Sequence, residues 1–546
     1  MPPPLRAVRS FWQELANNGP LISIILLLAG AVGAALPTMR TNLVEPQEYD
    51  EFAYLLGAET FLTGRLANPP HPLAPFFETM HVLQQPTYAS KYPPGQSLQL
   101  AAGALLGHPI FGVWVTVGLL ALAAAWILRA VAPATWAAAG GLLAAWQWVA
   151  LTYWGRTYWG GSLFALAGML VLGGALRFGR KPAASSALWA GLGAGLMALT
   201  RPYEGLWFCL VPAGAMLARL VLSARLGESR MKLLGWSAAA AAPVAVALAF
   251  LLIYNKAVTG DALLFPHRLY QETVAPDVSV FVWEQPGPAP ANRNPELSYQ
   301  MRRFNPPAML APTANYAALL SEHVKNVLPR FAGFFLPGLF GLGALWALGS
   351  GSAWREQSGR LALASLATFF VMLGTLRFFG FPHYAAAWCA PLAVLIMLGF
   401  RGLCAWRWRG RSVPPEVIAV ALYGWALVTL FQQTARGDPP HPWVLDRLKV
   451  IEQLEQKSVL DRRDHVVFVM MAEGQPDFAE WVYNGPTIDD QTVIFARSLG
   501  AARDAEVAKY YPTRHLWQAW LNTHGEIAKF TAYDPTKTSL PVKPSP

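Results

Sequence analysis

The sequence predicts a mainly α-helical, polytopic membrane protein that ends in a small α/β domain, and three observations predict it. Apolar runs of about 17 to 22 residues recur some eleven times, each long enough to cross roughly 30 Å of hydrocarbon as a helix. Of 546 residues, 54% are hydrophobic and 14% charged, with 22 Trp, which is too apolar for an ordinary soluble chain. The charges that remain are sorted by loop, the basic ones falling in alternate connections.

Taken in order, the expected spans are 21–37, 110–128, 134–152, 161–176, 185–200, 206–222, 234–254, 331–349, 361–378, 384–400 and 414–433. Arg6 and Arg9 precede the first run, no A-x-A cleavage pattern follows it, and more spans come after, so it reads as an uncleaved signal anchor with residues 1–20 in the cytoplasm. Loop charge supports this orientation independently. The connections it makes cytoplasmic carry Arg177, Arg180 and Lys181; Arg219, Arg225, Arg230 and Lys232; Arg355 and Arg360; and Arg401, Arg407, Arg409 and Arg411. The net charge of +10 therefore reports topology and not nucleic-acid binding. Cys209, Cys389 and Cys404 lie in or beside spans without CxxC spacing, which implies neither disulfides nor a thiolate metal site.

Within the membrane domain, 21–433, two loops at 38–109 and 255–330 are too long to be simple connections. With the third long region, 434–546, they fall on one side, the periplasmic or extracellular one. In that last region LDRLKVIEQLEQ has helical spacing, HVVFVMM, TVIFARSLG and HLWQAW read as strands, and AARDAEVAKYY as a helix. An α/β domain over about 446–533 follows, with a Pro-rich tail expected to be disordered.

TNLVEPQEYDEFAYL sets Glu45, Glu48, Asp50 and Glu51 at the outer end of the first span. A carboxylate there can take a proton from an acceptor hydroxyl or amine while its neighbours bind the acceptor or tune its pKa. Asp50 and Glu51 are the candidates, and the alternative is a hydrated acidic loop. In TYASKYPPGQSLQLAAG, Lys91 and Tyr92 precede a double proline at which a helix should begin. A lysine so placed can neutralise a lipid-linked phosphate or merely snorkel to headgroups.

This arrangement, a first span, YDEFAYLLGAETFLTGRL, and a long loop ending in KYPPG before an apolar helix, resembles the GT-C glycosyltransferases. Among them it is most similar to the protein O-mannosyltransferases and the aminoarabinose transferase that modifies lipid A. The resemblance implies a GT-C-like fold and an enzyme of the bacterial inner membrane that passes a sugar from a polyprenyl-phosphate carrier to a periplasmic lipid, glycan or protein. It implies Asp50, followed by Glu51, as the base or acceptor-orienting group, and Lys91 as a donor-phosphate contact. Here Tyr92 separates that lysine from Pro93, a departure from the family pattern. FFGFPHYAAAWCAPLAVLIML is similar to the family's late segment, with His383 and Tyr384 as loose matches.

Further candidates fit the same chemistry. ALTYWGRTYWGGSLF offers Arg156 among Trp154, Tyr158 and Trp159, either a phosphate fork or an interfacial aromatic belt. MALTRPYEGLWF sets Arg201 and Glu204 at a helix end, to pair with each other or to reach the cavity. The second loop supplies His267, Arg268 and Arg302, donor contacts or solvated charges. Glu48, Tyr92, His267, Arg268, His383 and Tyr384 form the expected substrate-binding set, and Lys91, Arg156, Arg201 and Arg302 the phosphate set. His71, His81, His267 and His383 lack a metal-ligand spacing; a divalent ion held by Asp50 and Glu51 with donor phosphate stays open. EWVYNGPTID suits sugar binding or a domain core equally.

The expectation is an inverting transfer with Asp50 as base. A flippase of lipid-linked oligosaccharide, an O-antigen-ligase-like polymerase and a non-catalytic scaffold compete with it.

Overall fold

Apolar runs become helices here because a helix satisfies its backbone internally wherever water is excluded. A computed structural model describes residues 3–38, 44–150, 152–291, 293–305, 307–310, 316–377, 380–436, 439–470 and 479–535. Among these, six helices are long and apolar enough to cross a membrane: Pro109–Leu128, Ser162–Arg180, Pro202–Arg225, Arg230–Thr259, Pro382–Ala405 and Pro415–Ala435. Two bent pairs, Arg9–Asn17 with Gly19–Ala35 at 98° and Val324–Phe335 with Leu339–Gly349 at 107°, raise this to eight if each is one span.

The expected eleven segments all overlap helix, but they are not eleven uniform spans. Ala184–Thr200 and Gln357–Leu373 are shorter apolar helices, and the run at 134–152 forms a helix of 12 residues followed by a π-turn over Trp146–Ala150. The run at 331–349 breaks because Pro337 offers no N–H and Gly338 takes a left-handed φ of 53°.

Proline sets many helix starts, since its fixed φ suits the first turn and its missing N–H costs nothing there. Pro94, Pro109, Pro202, Pro266, Pro295 and Pro442 all stand so. The helix expected at KYPPG begins at Pro94. Small residues let helices touch: a Cβ at Gly399 would lie 1.7 Å from the Gly343 carbonyl oxygen, and one at Gly112 would lie 2.0 Å from that of Gln99.

The helix Tyr49–Leu62 positions the site. Its first turn carries Asp50 and Glu51, which favours the positive end of the helix dipole. It is buried nearly all round, against Ser97, whose hydroxyl donates to the Tyr54 carbonyl at 2.9 Å, and against Trp443 and Tyr483, which meet Phe52 at 6.2 and 4.8 Å between ring centroids.

After the helix Pro442–Asp461, a four-stranded sheet runs in the spatial order Val493–Arg497, His465–Met470, His515–Leu521, Ile527–Ala532. The first three strands are parallel and the last antiparallel. His465–Met470 is buried along its whole length, as a central parallel strand covered on both faces requires. Ile527–Ala532 is a strand that the sequence reading left out. Of the Pro-rich tail, residues 536–546 lie outside the described ones.

The two long loops and this α/β unit meet on one face. Arg497, fully buried, donates to the Glu78 carbonyl at 2.8 Å and pairs with Glu296 at 3.3 Å and with the buried Glu480 at 3.5 Å. Thr79 donates to Glu480 as well, at 2.5 Å. One guanidinium thus ties residues from both loops to the C-terminal sheet.

Candidate active site

Asp50 lies at the start of its helix with only 7% of its surface exposed. Oδ1 accepts the Tyr92 hydroxyl; Oδ2 has His81 Nε2 at 3.7 Å. The Trp159 indole lies beside the carboxylate, and Lys91 and Arg201 are near enough for their charges to act on it. Burial is the largest influence and raises its pKa, against the pull of Lys91, Tyr92, Trp159 and Arg201.

Lys91 is 9% exposed. Its ammonium lies over the rings of Tyr92 at 5.1 Å and Tyr270 at 4.8 Å. Among the described residues no carboxylate comes within ion-pair distance of it. Burial lowers its pKa to about 8, opposed by Asp50. A buried ammonium is costly unless compensated, and the two aromatic faces offset part of that cost.

A second cation acts on Asp50 through its charge. Arg201, at the break between Ala184–Thr200 and Pro202–Arg225, pairs with Glu204 at 3.3 Å and covers the Tyr384 ring at 4.5 Å. His383 accepts or donates with the Tyr153 hydroxyl through Nδ1 at 2.8 Å and packs on Trp159, centroids 5.0 Å apart. Tyr54 stacks on Tyr92 at 4.4 Å and 24°. Five separate stretches of chain, around residues 50, 91, 159, 201 and 384, therefore converge on one carboxylate.

Glu51 has a different placement. Oε2 accepts the backbone N–H groups of Gln47 at 2.8 Å and Glu48 at 3.1 Å, and Oε1 that of Tyr158 at 2.8 Å. It closes a capping box and anchors the turn at Tyr158, which is a structural task for the residue expected to share the chemistry. Its pKa rises to about 7, burial outweighing those three donors. Glu48 keeps Oε2 buried without a hydrogen bond. Burial first, then the charges of Glu51 and Asp50, push its pKa up to about 9.

His267 reaches this cluster from the helix Pro266–Thr273, close enough for Lys91 to act on it; burial above all lowers its pKa to about 3. Arg268 does not: it is exposed and pairs with Glu272 and Glu284, each at 2.7 Å. Arg302 is exposed on Pro295–Phe304. Arg156 reaches Gln433 at 3.5 Å. In EWVYNGPTID, Trp481 is fully buried and Asn484 bonds both the N–H and the carbonyl of Phe495, so these two serve the sheet. No group of three or more His, Cys, Asp or Glu among the described residues is arranged to hold a metal ion. An apolar cavity of about 440 Å³, lined by Trp12, Trp136, Trp148 and Tyr423 among others, shares no residue with the cluster.

The sequence does not show the placement of His81 beside Asp50, since that proximity depends on a loop turn with no motif. The sequence reading also missed Tyr270, although the i, i+3 spacing from His267 on an amphipathic helix was there to be read.

No family model matches the chain, and no curated protein matches it. Solved structures do match. The apo oligosaccharyltransferase of Archaeoglobus fulgidus is similar over 91% of this chain and 69% of its own, at 12% identity and a TM-score of 0.50. The chain has the GT-C fold. Apo ArnT from Cupriavidus metallidurans is similar over 91% of this chain and 92% of its own, at 13% identity and a TM-score of 0.45. The mycobacterial arabinofuranosyltransferase AftD is similar over 90% of this chain and 35% of its own, at 14% identity and a TM-score of 0.43. The six helices long and apolar enough to cross a membrane agree with the polytopic architecture that the sequence predicts.

Proposed function

We propose that this chain is a membrane glycosyltransferase that moves a sugar from a polyprenyl-phosphate donor to an acceptor on the face carrying the long loops. The observation that carries the reading is that Asp50 shares one site with a buried Lys91 that no carboxylate among the described residues approaches to ion-pair distance. Base and leaving-group stabiliser must flank one reacting centre, and two buried groups close enough for their charges to act on each other suit that need. Asp50 takes the acceptor's proton as its oxygen or nitrogen attacks C1. Lys91, with Arg201, offsets charge on the departing lipid phosphate. Attack from the face opposite the phosphate inverts the anomeric centre. Tyr92, Trp159, His383 and Tyr384 supply ring faces for the sugar. The matching solved structures support the scaffold; the chemistry rests on the residues. In this reading the N-terminus is cytoplasmic and the C-terminal unit periplasmic, in a bacterial inner membrane.

The test is transfer of radiolabelled sugar from a panel of polyprenyl-phosphate sugars in proteoliposomes with envelope extract. Wild type should form product with at least one donor. Asp50→Asn should lose about a hundredfold or more in kcat while still binding donor, and Lys91→Ala should lose donor binding. An Asp50→Asn protein as active as wild type would remove Asp50 as the base.

A further inference from the structure

Asp50 must return to its carboxylate form before it can act again, and a buried acid surrounded by aromatic rings does not lose a proton readily. Oδ1 accepts the Tyr92 hydroxyl, while the buried Oδ2 makes no hydrogen bond and is the oxygen left for the acceptor's proton. The group standing off Oδ2 is His81 Nε2, at 3.7 Å.

His81 is held there by both sides of its backbone. Its N–H donates to the Tyr270 hydroxyl at 3.1 Å and its carbonyl accepts from the Lys91 N–H at 3.0 Å. Between them its φ is 67°, a left-handed conformation uncommon outside glycine and the kind of local strain that gathers at functional sites. The imidazole is 5% exposed and packs edge-on or tilted against Tyr49, Tyr92 and Tyr270. A histidine is a poor filler for such a position unless its nitrogens are used.

We propose that His81 is a positioning residue for Asp50: its imidazole aligns Oδ2 and takes over the proton that the carboxylate receives from the acceptor, resetting the base inside the site. This rests on the reading of Asp50 as the base. In the balanced step the acceptor atom bonds to C1 and the C1–O bond to phosphate breaks, its electron pair leaving with the phosphate. The acceptor's proton passes to Asp50 Oδ2, then to His81, and from the imidazolium to the released phosphate monoester, which is more basic than the diester it came from. The titratable groups that face His81 are Asp50 and Tyr49 on one helix, Lys91 and Tyr92 on the loop, and His267 and Tyr270 on Pro266–Thr273. Burial, Lys91 and His267 all disfavour a lasting imidazolium, so the proton is handed on and not stored.

The test uses His81→Gly and His81→Asn, since glycine and asparagine are the residues most at ease with a positive φ. Each is assayed in proteoliposomes beside wild type and Asp50→Asn, with thermal melting measured on the same preparations. Both His81 variants should lose about tenfold or more in kcat with the donor KM within about twofold of wild type. Free imidazole should restore part of the rate to His81→Gly, where the side chain leaves room for it, and none to Asp50→Asn. Wild-type kcat in both His81 variants, with Asp50→Asn inactive, overturns the relay and leaves the base assignment standing. A loss that imidazole does not restore in a His81→Gly protein that melts like wild type also overturns it. Full activity in Asp50→Asn overturns both.

Discussion

Lys91 shows how a single side chain acquires a role from its surroundings. In water its ammonium would stay charged far into alkaline pH; burial brings its pKa to about 8. The cation exists below that value, so donor affinity should be greatest at neutral pH and fall as pH rises through about 8 and beyond, the bound phosphate moving the loss upward. Lys91→Arg should hold its charge throughout and flatten that dependence. Donor titrations followed by intrinsic tryptophan fluorescence, from neutral to alkaline pH, check this. Asp50 and Lys91 were legible because each stands in a short polar stretch beside a long apolar one. His81 was not, because nothing in ETMHVLQQ says where a left-handed turn will aim a ring. Glu51 was legible as a candidate acid but not in the contacts it makes, since only the folded chain buries it and brings the Tyr158 N–H to it.

At the scale of the element, Tyr49–Leu62 works because its N-terminus is closed by its own sequence. Glu51 meets three backbone donors, and removing a buried acceptor leaves those N–H groups without partners. Glu51→Ala should therefore destabilise the protein by about 1–3 kcal/mol or more, while Glu51→Gln, which keeps one acceptor oxygen, should cost less. Thermal unfolding in detergent ranks the two; a Glu51→Ala protein that melts like wild type would deny the cap its importance. The same element explains why the acidic cluster reads ambiguously from sequence. One helical turn sends neighbouring carboxylates to opposite partners, Asp50 toward Tyr92 and His81 and Glu51 back onto the chain that precedes it.

Across the whole molecule, three acids crowded at one helix start all have pKa values raised above all by burial, and this links stability to pH. The folded-state pKa of Glu48 is raised to about 9 and that of Glu51 to about 7, from an ordinary 4.5. Raised values mean that the stabilising contribution is full below the unfolded pKa and is lost as pH climbs through about 7 and then about 9. Glu48→Gln should thus melt higher than wild type at alkaline pH and converge with it in mild acid, a comparison that isolates this one group. The fold-level reading came from patterns that act locally: runs long enough to span lipid, basic connections, and periods of two and 3.6 in the C-terminal region. Local patterns mislead where a run is interrupted, as it is by Pro337 and Gly338. The sequence by itself determined that this is a helical membrane protein with three large segments to one side and an acid and a lysine worth testing, because hydrophobicity and backbone satisfaction are properties of short stretches. Only the tertiary structure decided that Asp50 meets Tyr92, His81, Trp159 and the field of Arg201, that Arg268 turns away to its own carboxylates, and that Arg497 gathers both loops onto the sheet. Apart from those of Arg268, these are contacts between residues tens to hundreds of positions apart, and a buried group's charge state is a sum over whatever the fold places around it.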